Sequence, residues 1–150
     1  PTQALLLGTG GASKAVQHAL ASLGIEVFTV SRTPHFSEIS YDQVARFLSN
    51  TPLIINATPV GMYPRCDASP VDPGVLARCA AVFDAVYNPE ETRLLSAARA
   101  AGARTVGGMP MLVWQAAVAH TCWYGAEFQA EAVASIIADA NVYMNQHFRQ

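Results

Sequence analysis

The strongest indication of the fold is the stretch ALLLGTGGASKA, residues 4–15. A run of apolar residues leads directly into a glycine-rich turn, and apolar residues then recur at helical steps as far as Leu23. This pattern predicts a buried strand, a tight turn and a helix whose N-terminus faces the turn, which together hold the pyrophosphate of a dinucleotide. The alternative is a strand–helix connection without a ligand, because the place usually held by a third Gly or Ala is Ser13.

The three glycines of this turn have different expected tasks. Gly8 allows a sharp turn, and Gly10 has no side chain to keep a pyrophosphate off the backbone. Gly11 opens the helix, where unpaired N–H groups and the positive end of the helix dipole favour an anion.

The composition limits the class of protein. The chain has 150 residues, 51% of them hydrophobic and 13% charged, which suits one domain with a sizeable core. A net charge of −2 and a single lysine, Lys14, argue against nucleic acid as the main partner. Apolar stretches stay below the ~20 residues of a membrane span, so we expect no membrane partner. Cys66, Cys79 and Cys122 have no metal-ligand spacing, so we expect no metal and a reduced, cytoplasmic protein.

The end of the second predicted strand, residues 26–30, indicates which dinucleotide fits. An NAD site usually has an acid there to hold the ribose hydroxyls. This chain has Ser31-Arg32-Thr33, and an arginine with two hydroxyls suits a ribose 2′-phosphate. We therefore predict NADP rather than NAD; the alternative is that Arg32 is only a solvated loop residue.

Strands and helices alternate along the rest of the chain. Further strands are predicted at 37–40, 52–56, 81–87 and 104–106, and helices at 41–48, 73–76, 92–101, 110–123 and 129–146. This alternation predicts an α/β fold: a doubly wound parallel sheet, Rossmann-like, with strand order 3-2-1-4-5-6. Asn56 and Thr58 follow a strand and are candidates for the ligand crevice, unless they only form the turn before Pro59. Asp84 is expected inside a buried strand, in a structural hydrogen-bonding role.

Five segments, in their order and spacing, resemble the C-terminal, NADP-binding half of the shikimate dehydrogenases. They are residues 8–12 with Ala15, residues 31–33, residues 56–62, residues 84–89 with Thr92 and Leu95, and residues 108–116. The resemblance implies that residues 1–150 form the NADP-binding domain with its C-terminal helices, and that the N-terminal substrate domain is absent from this chain. The opening at Pro1, without an initiator Met, is what one domain of a longer protein would show.

The resemblance also implies roles for individual residues. Tyr87 and Gln115 would reach the substrate, shikimate or 3-dehydroshikimate. The cofactor NADP would be bound by Gly8, Thr9, Gly10, Gly11 and Ala12 at the pyrophosphate, by Ser31, Arg32 and Thr33 at the adenosine phosphate, and by Thr58, Ala85, Gly108 and Met111 at the nicotinamide.

Two departures from the family pattern weaken the expected preference for NADP. The family often has a second basic residue four positions after its first arginine, where this chain has Phe36, and Ser31 replaces the usual Asn. His35 lies nearby and would help when protonated.

The resemblance implies hydride transfer between NADPH and 3-dehydroshikimate, with the redox chemistry supplied by the cofactor. The family's catalytic lysine and aspartate lie in the absent domain, and Lys14, just inside the first helix, cannot replace them. We therefore expect this chain alone to bind cofactor without turnover. The broad apolar face of the last helix leads us to expect self-association of the isolated domain.

Two other functions stay open. An NAD-preferring quinate/shikimate dehydrogenase would share these motifs, although Arg32 and the missing acid speak against it. A non-catalytic nucleotide-binding module would explain the missing lysine but leaves Tyr87 and Gln115 without a purpose. The reading frame upstream of Pro1 separates enzyme from module.

Overall fold

The computed structural model describes residues 2–47 and 53–148, and it arranges them as a parallel sheet with helices on both faces. The strands are β1 (Gln3–Leu7), β2 (Glu26–Ser31), β3 (Ile39–Ser40), β4 (Leu53–Asn56), β5 (Ala81–Asp84) and β6 (Arg104–Val106). The helices are α1 (Gly11–Ser22), α2 (Pro73–Leu76), α3 (Arg93–Ala100), α4 (Met109–Tyr124) and α5 (Ala130–His147), and a 3₁₀-helix covers Tyr41–Arg46.

The sheet has the order β3-β2-β1-β4-β5-β6, and all neighbouring strands are parallel. The predicted fold and strand order 3-2-1-4-5-6 are therefore confirmed. Because β1 has β2 on one side and β4 on the other, the sheet grows in opposite directions from β1. In open parallel sheets, such a switch point is where the loops after the strands leave a crevice for a ligand.

The first strand is the centre of the core because its side chains point alternately to the two faces of the sheet. Leu5 and Leu7 join the larger apolar cluster, which also contains residues of α2, α3 and the 3₁₀-helix. Leu6 joins the smaller cluster, together with Val16 and Leu20 of α1. These contacts fix the direction of α1 relative to the end of β1.

The strand predicted at 81–87 is wrong at its end, because β5 stops at Asp84. The Asp84 carboxylate accepts a hydrogen bond from the backbone N–H of Val86 at 3.0 Å, which turns the chain away from the extended direction. Apolar Ala85 and Val86 continue the sequence pattern of a buried strand, and for this reason the end of the strand was predicted too late in the chain. Asp84 therefore closes the strand, and Ala85 and Tyr87 lie in the loop that follows.

The region after β2 is less regular than predicted. The edge strand is confined to Ile39–Ser40, and the expected helix at 41–48 is a 3₁₀-helix that ends at Arg46. The amide oxygen of Gln43 accepts from the backbone N–H of Ser40 at 3.1 Å, as expected of a capping box. Leu48 and Pro52, which bound two predicted elements, lie outside the described residues.

The remaining helices match their predictions to within one or two residues. Gly24 follows α1 with φ of 68°, the left-handed conformation expected of a helix-ending glycine. The helices α4 and α5 pack on each other. Together they leave apolar side chains uncovered, including Trp114, Val118 and Trp123 on α4 and Ile136 and Tyr143 on α5.

Candidate functional site

A cleft of about 1010 Å³ lies at the carboxyl ends of β1, β2 and β4. These three strands are neighbours in the sheet, so the segments that follow them meet at one edge. The glycine loop after β1 forms the floor of the cleft. The segment after β2 forms one wall, and the segment after β4 forms the other. The lining includes Gly8, Thr9 and Gly10, then Ser31, Arg32, Thr33, His35, Glu38 and Tyr41, and finally Ala57, Thr58, Pro59, Val60, Gly61 and Arg65.

The geometry of Gly8 explains why no other residue fits there. Its φ is 102°, and its N–H donates to the carbonyl of Val30 at 2.9 Å, which ties the loop to β2. A Cβ at this position would lie 2.8 Å from Cγ2 of Thr58 and 3.1 Å from the carbonyl oxygen of Ala57. The glycine loop therefore lies directly against the segment after β4.

The start of α1 is open to a ligand. Gly10 is the N-cap and provides no side-chain cap, and the first turn contains no acidic residue. A Cβ added at Gly10 or Gly11 would meet nothing within 4 Å. The backbone N–H groups at the positive end of α1 therefore face free space that suits an anion.

Ser13 shows how the chain manages without the usual third glycine. Its side chain is fully buried, so a small residue does occupy the contact between α1 and the sheet. Within residues 2–47 and 53–148, the Ser13 hydroxyl has no hydrogen-bond partner.

The wall after β2 contains the predicted phosphate-binding residues. The Ser31 hydroxyl accepts from the N–H of Thr33 at 3.3 Å and donates to the carbonyl of Thr33 at 3.1 Å, which bends the chain after the strand. Arg32 is exposed in the cleft, close to Tyr41. Burial raises the pKa of the Tyr41 hydroxyl above its ordinary value, and the positive charge of Arg32 partly opposes that rise.

The buried side chains of Asn56, Asp84 and Thr92 connect the ends of β4 and β5 to the start of α3. We call these three residues the Asp84 junction. One carboxylate oxygen of Asp84 accepts from the Asn56 amide at 2.9 Å, and the other accepts from the Thr92 hydroxyl at 2.7 Å. Burial raises the pKa of Asp84, and hydrogen bonds from Thr92, Val86 and Asn56 oppose the rise. The predicted structural role of Asp84 is confirmed by these bonds.

The junction also sets the position of Thr58. The Asn56 side-chain oxygen accepts from the backbone N–H of Thr58 at 3.0 Å and from its hydroxyl at 2.6 Å. Asn56, a candidate for direct ligand contact, is fully buried and instead holds Thr58 at the cleft. Because Thr58 also touches Gly8, the junction and the glycine loop form one continuous packed unit.

A second group of predicted residues lies outside the cleft lining, after β5 and on α4. A Cβ on Gly108 would lie only 2.2 Å from the carbonyl oxygen of Ala85, so glycine is required for this approach. Tyr87 is 39% exposed, Gln115 is exposed on α4, and Met111 is half-buried one turn before it.

The structure thus gathers Gly8, Thr9, Gly10, Ser31, Arg32, Thr33 and Thr58 in one cleft. Gly11 and Ala12 form the first turn of α1 beside it, and Lys14 is exposed on the same helix. Sequence reasoning missed Tyr41, Glu38 and Arg65 as lining residues. Nothing in the local sequence around Arg65 marks it, because its place in the cleft depends on how the long loop after β4 folds back.

Two further properties of the described residues bear on the site. No helix within residues 2–47 and 53–148 has the length and apolar character to cross a bilayer. The same residues contain no group of three or more His, Cys, Asp or Glu side chains that could hold a metal ion.

Comparisons with known proteins point to one enzyme family. No protein-family profile matches the chain. The chain is 36% identical to the shikimate dehydrogenase (NADP(+)) of Methanosarcina acetivorans, over 93% of this chain and 56% of that protein. It superimposes with a TM-score of 0.88 and 34% identity on a chorismate mutase/shikimate 5-dehydrogenase fusion protein from Clostridium acetobutylicum, covering 95% of this chain and 55% of that one. With the shikimate 5-dehydrogenase of Thermus thermophilus in complex with NADP(H) and shikimate, the TM-score is 0.79 at 32% identity, over 93% of this chain and 56% of that one.

These matches confirm the resemblance that the five sequence segments predicted. Nearly the whole length of this chain is similar to shikimate dehydrogenases. It spans about half the length of the curated relatives and solved structures that it matches.

Proposed function

We propose that this chain is the NADP-binding half of a shikimate dehydrogenase, which reduces 3-dehydroshikimate to shikimate by hydride transfer from NADPH in aromatic amino acid biosynthesis. The observation that carries the proposal is the cleft at the switch point of the sheet. There the glycine loop, the uncapped start of α1 and Arg32 line one cavity of about 1010 Å³. The relatives named as NADP(+) enzymes support the choice of cofactor.

The residues present fit an NADP molecule. The open space at Gly10 and Gly11 leaves room for a pyrophosphate against the backbone. The end of β2 has a guanidinium and two hydroxyls, and no acid that would repel a 2′-phosphate. We assign the pyrophosphate to Gly8, Thr9, Gly10, Gly11 and Ala12, and the 2′-phosphate to Ser31, Arg32 and Thr33.

The nicotinamide supplies the hydride when it is bound, and the chain orients the reacting groups. We assign its surroundings to Thr58, Ala85, Gly108 and Met111. The Asp84 junction fixes Thr58 and the start of the loop containing Ala85, so both would keep their places as ligands enter and leave. The Tyr87 hydroxyl and the Gln115 amide suit the hydroxyl groups of shikimate.

Proton transfer falls to residues outside this chain in the proposed enzyme. None of the assigned residues is a catalytic acid or base, and Lys14 is exposed on α1. We therefore expect a substrate-binding partner domain to contain the catalytic residues, and the chain alone to give no shikimate oxidation. We place the enzyme in the cytoplasm, and we expect the uncovered apolar side chains of α4 and α5 to promote self-association of the isolated chain.

The cofactor assignment is tested by calorimetric titration of NADP and NAD into the chain and into Arg32→Ala. We expect NADP to bind at least about tenfold more tightly than NAD, a difference of ~1.4 kcal/mol, and Arg32→Ala to remove most of it. Arg78→Ala is the matched control, because Arg78 is exposed and lies outside the cleft lining.

Equal affinities in the unmodified chain would favour the NAD-preferring dehydrogenase or the nucleotide-binding module. Failure of both dinucleotides to bind, with the chain folded, would overturn the proposal for the chain as a cofactor-binding unit.

A further inference from the structure

A second arginine lines the cleft, from the wall opposite Arg32. Arg65 lies in the loop between β4 and α2 and lines the same cavity as the glycine loop. Because β2 and β4 are on opposite sides of β1, the segments that follow them face each other across the end of β1. We propose that Arg65 is a specificity-determining residue, a second cation that binds the 2′-phosphate of the cofactor together with Arg32. This inference rests on the proposed function.

The backbone around Arg65 is fixed to the rest of the fold. The N–H of Tyr63 donates to the carbonyl of Asn88 at 2.9 Å, and the N–H of Arg65 donates to the carbonyl of Met62 at 3.0 Å. Further along, the Ser69 hydroxyl donates to the carbonyl of the buried Val71 at 2.8 Å. Both ends of this loop are therefore held in place, while the Arg65 side chain itself is exposed.

The charge of Arg65 is not used within the part of the chain that the structure describes. The two ion pairs seen there join Arg93 to Asp67 and Arg99 to Glu91. The carboxylate in the cleft lining belongs to Glu38, and one of its oxygens accepts from the backbone N–H of His35 at 3.1 Å. The cleft therefore has more positive than negative side chains, although the whole chain has a net charge of −2.

The 2′-phosphate is the cofactor group that most needs a second cation. A phosphate monoester has a charge of roughly −1.5 to −2 at neutral pH, and a single guanidinium neutralises only part of it. The pyrophosphate has the N–H groups at the start of α1, whereas the wall after β2 offers one arginine, two hydroxyls and His35. Phe36 occupies the sequence position where a second base was expected, and it is fully exposed outside the cleft lining. Arg65 would supply the missing charge from the other wall.

The test compares cofactors and fragments that differ only in the 2′-phosphate. NADP, NAD, 2′,5′-ADP and 5′-AMP are titrated into the chain, into Arg65→Gln and into the control Arg78→Gln. We expect Arg65→Gln to weaken NADP and 2′,5′-ADP about tenfold and to leave NAD and AMP within about twofold, as for the loss of one charged hydrogen bond. Arg65→Lys should recover part of the loss, because lysine restores the charge without the bidentate geometry.

Two results would overturn the inference. One is an unchanged NADP affinity in Arg65→Gln while Arg32→Ala still removes the preference for NADP, and this leaves the proposed function intact. The other is an equal loss for NADP and NAD, which would place Arg65 at a group that both dinucleotides share. If the unmodified chain binds neither dinucleotide, the proposed function and this inference fail together. Thermal unfolding of each variant confirms that it is folded.

Discussion

The Asp84 junction and the segment after β2 are built in opposite ways, although both border the candidate site. Asn56, Asp84 and Thr92 are at most 1% exposed, and short hydrogen bonds connect three elements through them. The segment at 31–38, here called the Arg32 loop, is largely exposed, and among the described residues the side chains of Ser31 and Glu38 make hydrogen bonds only to backbone groups of this loop. One side of the site is therefore part of the folded core, whereas the other side can change without affecting the core.

This contrast separates two kinds of mutation. A change in the Asp84 junction should alter folding stability, and binding only as a consequence. A change in the Arg32 loop should alter ligand binding and leave folding stability nearly unchanged, because exposed side chains contribute little to stability. Measurements of stability and binding on variants of the two regions test that separation.

Replacement of Asp84 should have the largest effect. Asp84→Ala removes the acceptor for the Asn56 amide, the Val86 N–H and the Thr92 hydroxyl, and it leaves these donors buried. We expect a loss of about 2–4 kcal/mol in the free energy of unfolding, measured by urea denaturation. The control Asp67→Ala removes a carboxylate that is 94% exposed, and it should cost well under about 1 kcal/mol. Similar losses in the two variants would contradict the contrast.

The pH dependence of folding stability is a second test of the role of Asp84 in the folded core. Because the folded state raises the pKa of Asp84, ionisation of this carboxyl opposes folding. The stability that the fold gains from keeping Asp84 protonated is fully present below the pKa of this group in the unfolded chain, ~3.9. It is lost as the pH rises through the pKa of Asp84 in the folded chain.

Asp84→Asn does not titrate at this position and is the matched reference. Relative to it, the unmodified chain should gain stability as the pH falls, and denaturation midpoints of both chains measured across the acid range give this difference. If the unmodified chain instead gained stability relative to Asp84→Asn as the pH rises, the hydrogen bonds to Asp84 would outweigh the effect of its burial.

The smallest effect is expected in the Arg32 loop. Phe36 has φ of 47°, a left-handed conformation that is unfavourable for a bulky residue, and its side chain is fully exposed. Phe36→Gly relieves that conformation but adds freedom to the unfolded chain, so we expect a gain of no more than about 1 kcal/mol. Thermal unfolding measures it, with Phe36→Ala as the control that removes the ring and keeps the strain. A clear loss of stability in both Phe36→Gly and Phe36→Ala would mean that the Phe36 ring contributes to the core.

The sheet could be predicted from sequence because its causes are local. The apolar run before Gly8 and the alternation of short apolar segments with helical patterns each depend on neighbouring residues. Together they favour a doubly wound sheet with the strand order observed. The end of β5 could not be predicted, because it depends on the side chain of Asp84 bonding to the Val86 N–H within a loop of apolar residues. The 3₁₀-helix had the start signal of an ordinary helix, and its sequence did not reveal the tighter turn.

The candidate site was predictable to the same extent. Glycine and arginine positions followed from motifs, so the floor of the cleft and one wall were expected. Tyr41 and Arg65 were not, because they enter the cleft from segments that fold back over it. The role of Asn56 was predicted wrongly for a related reason. From sequence alone, a polar residue at the end of a strand that faces a ligand cannot be distinguished from one that faces a buried carboxylate.

The positions of the two tryptophans give the chain a built-in optical probe. Trp114 and Trp123 are the tryptophans of the sequence, and both lie on α4, where they are 42% and 72% exposed. Their fluorescence therefore reports on the solvent contact of α4, with little contribution from the buried core. A shift of the emission to shorter wavelength on mixing with another protein would signal that a surface of that protein has covered α4.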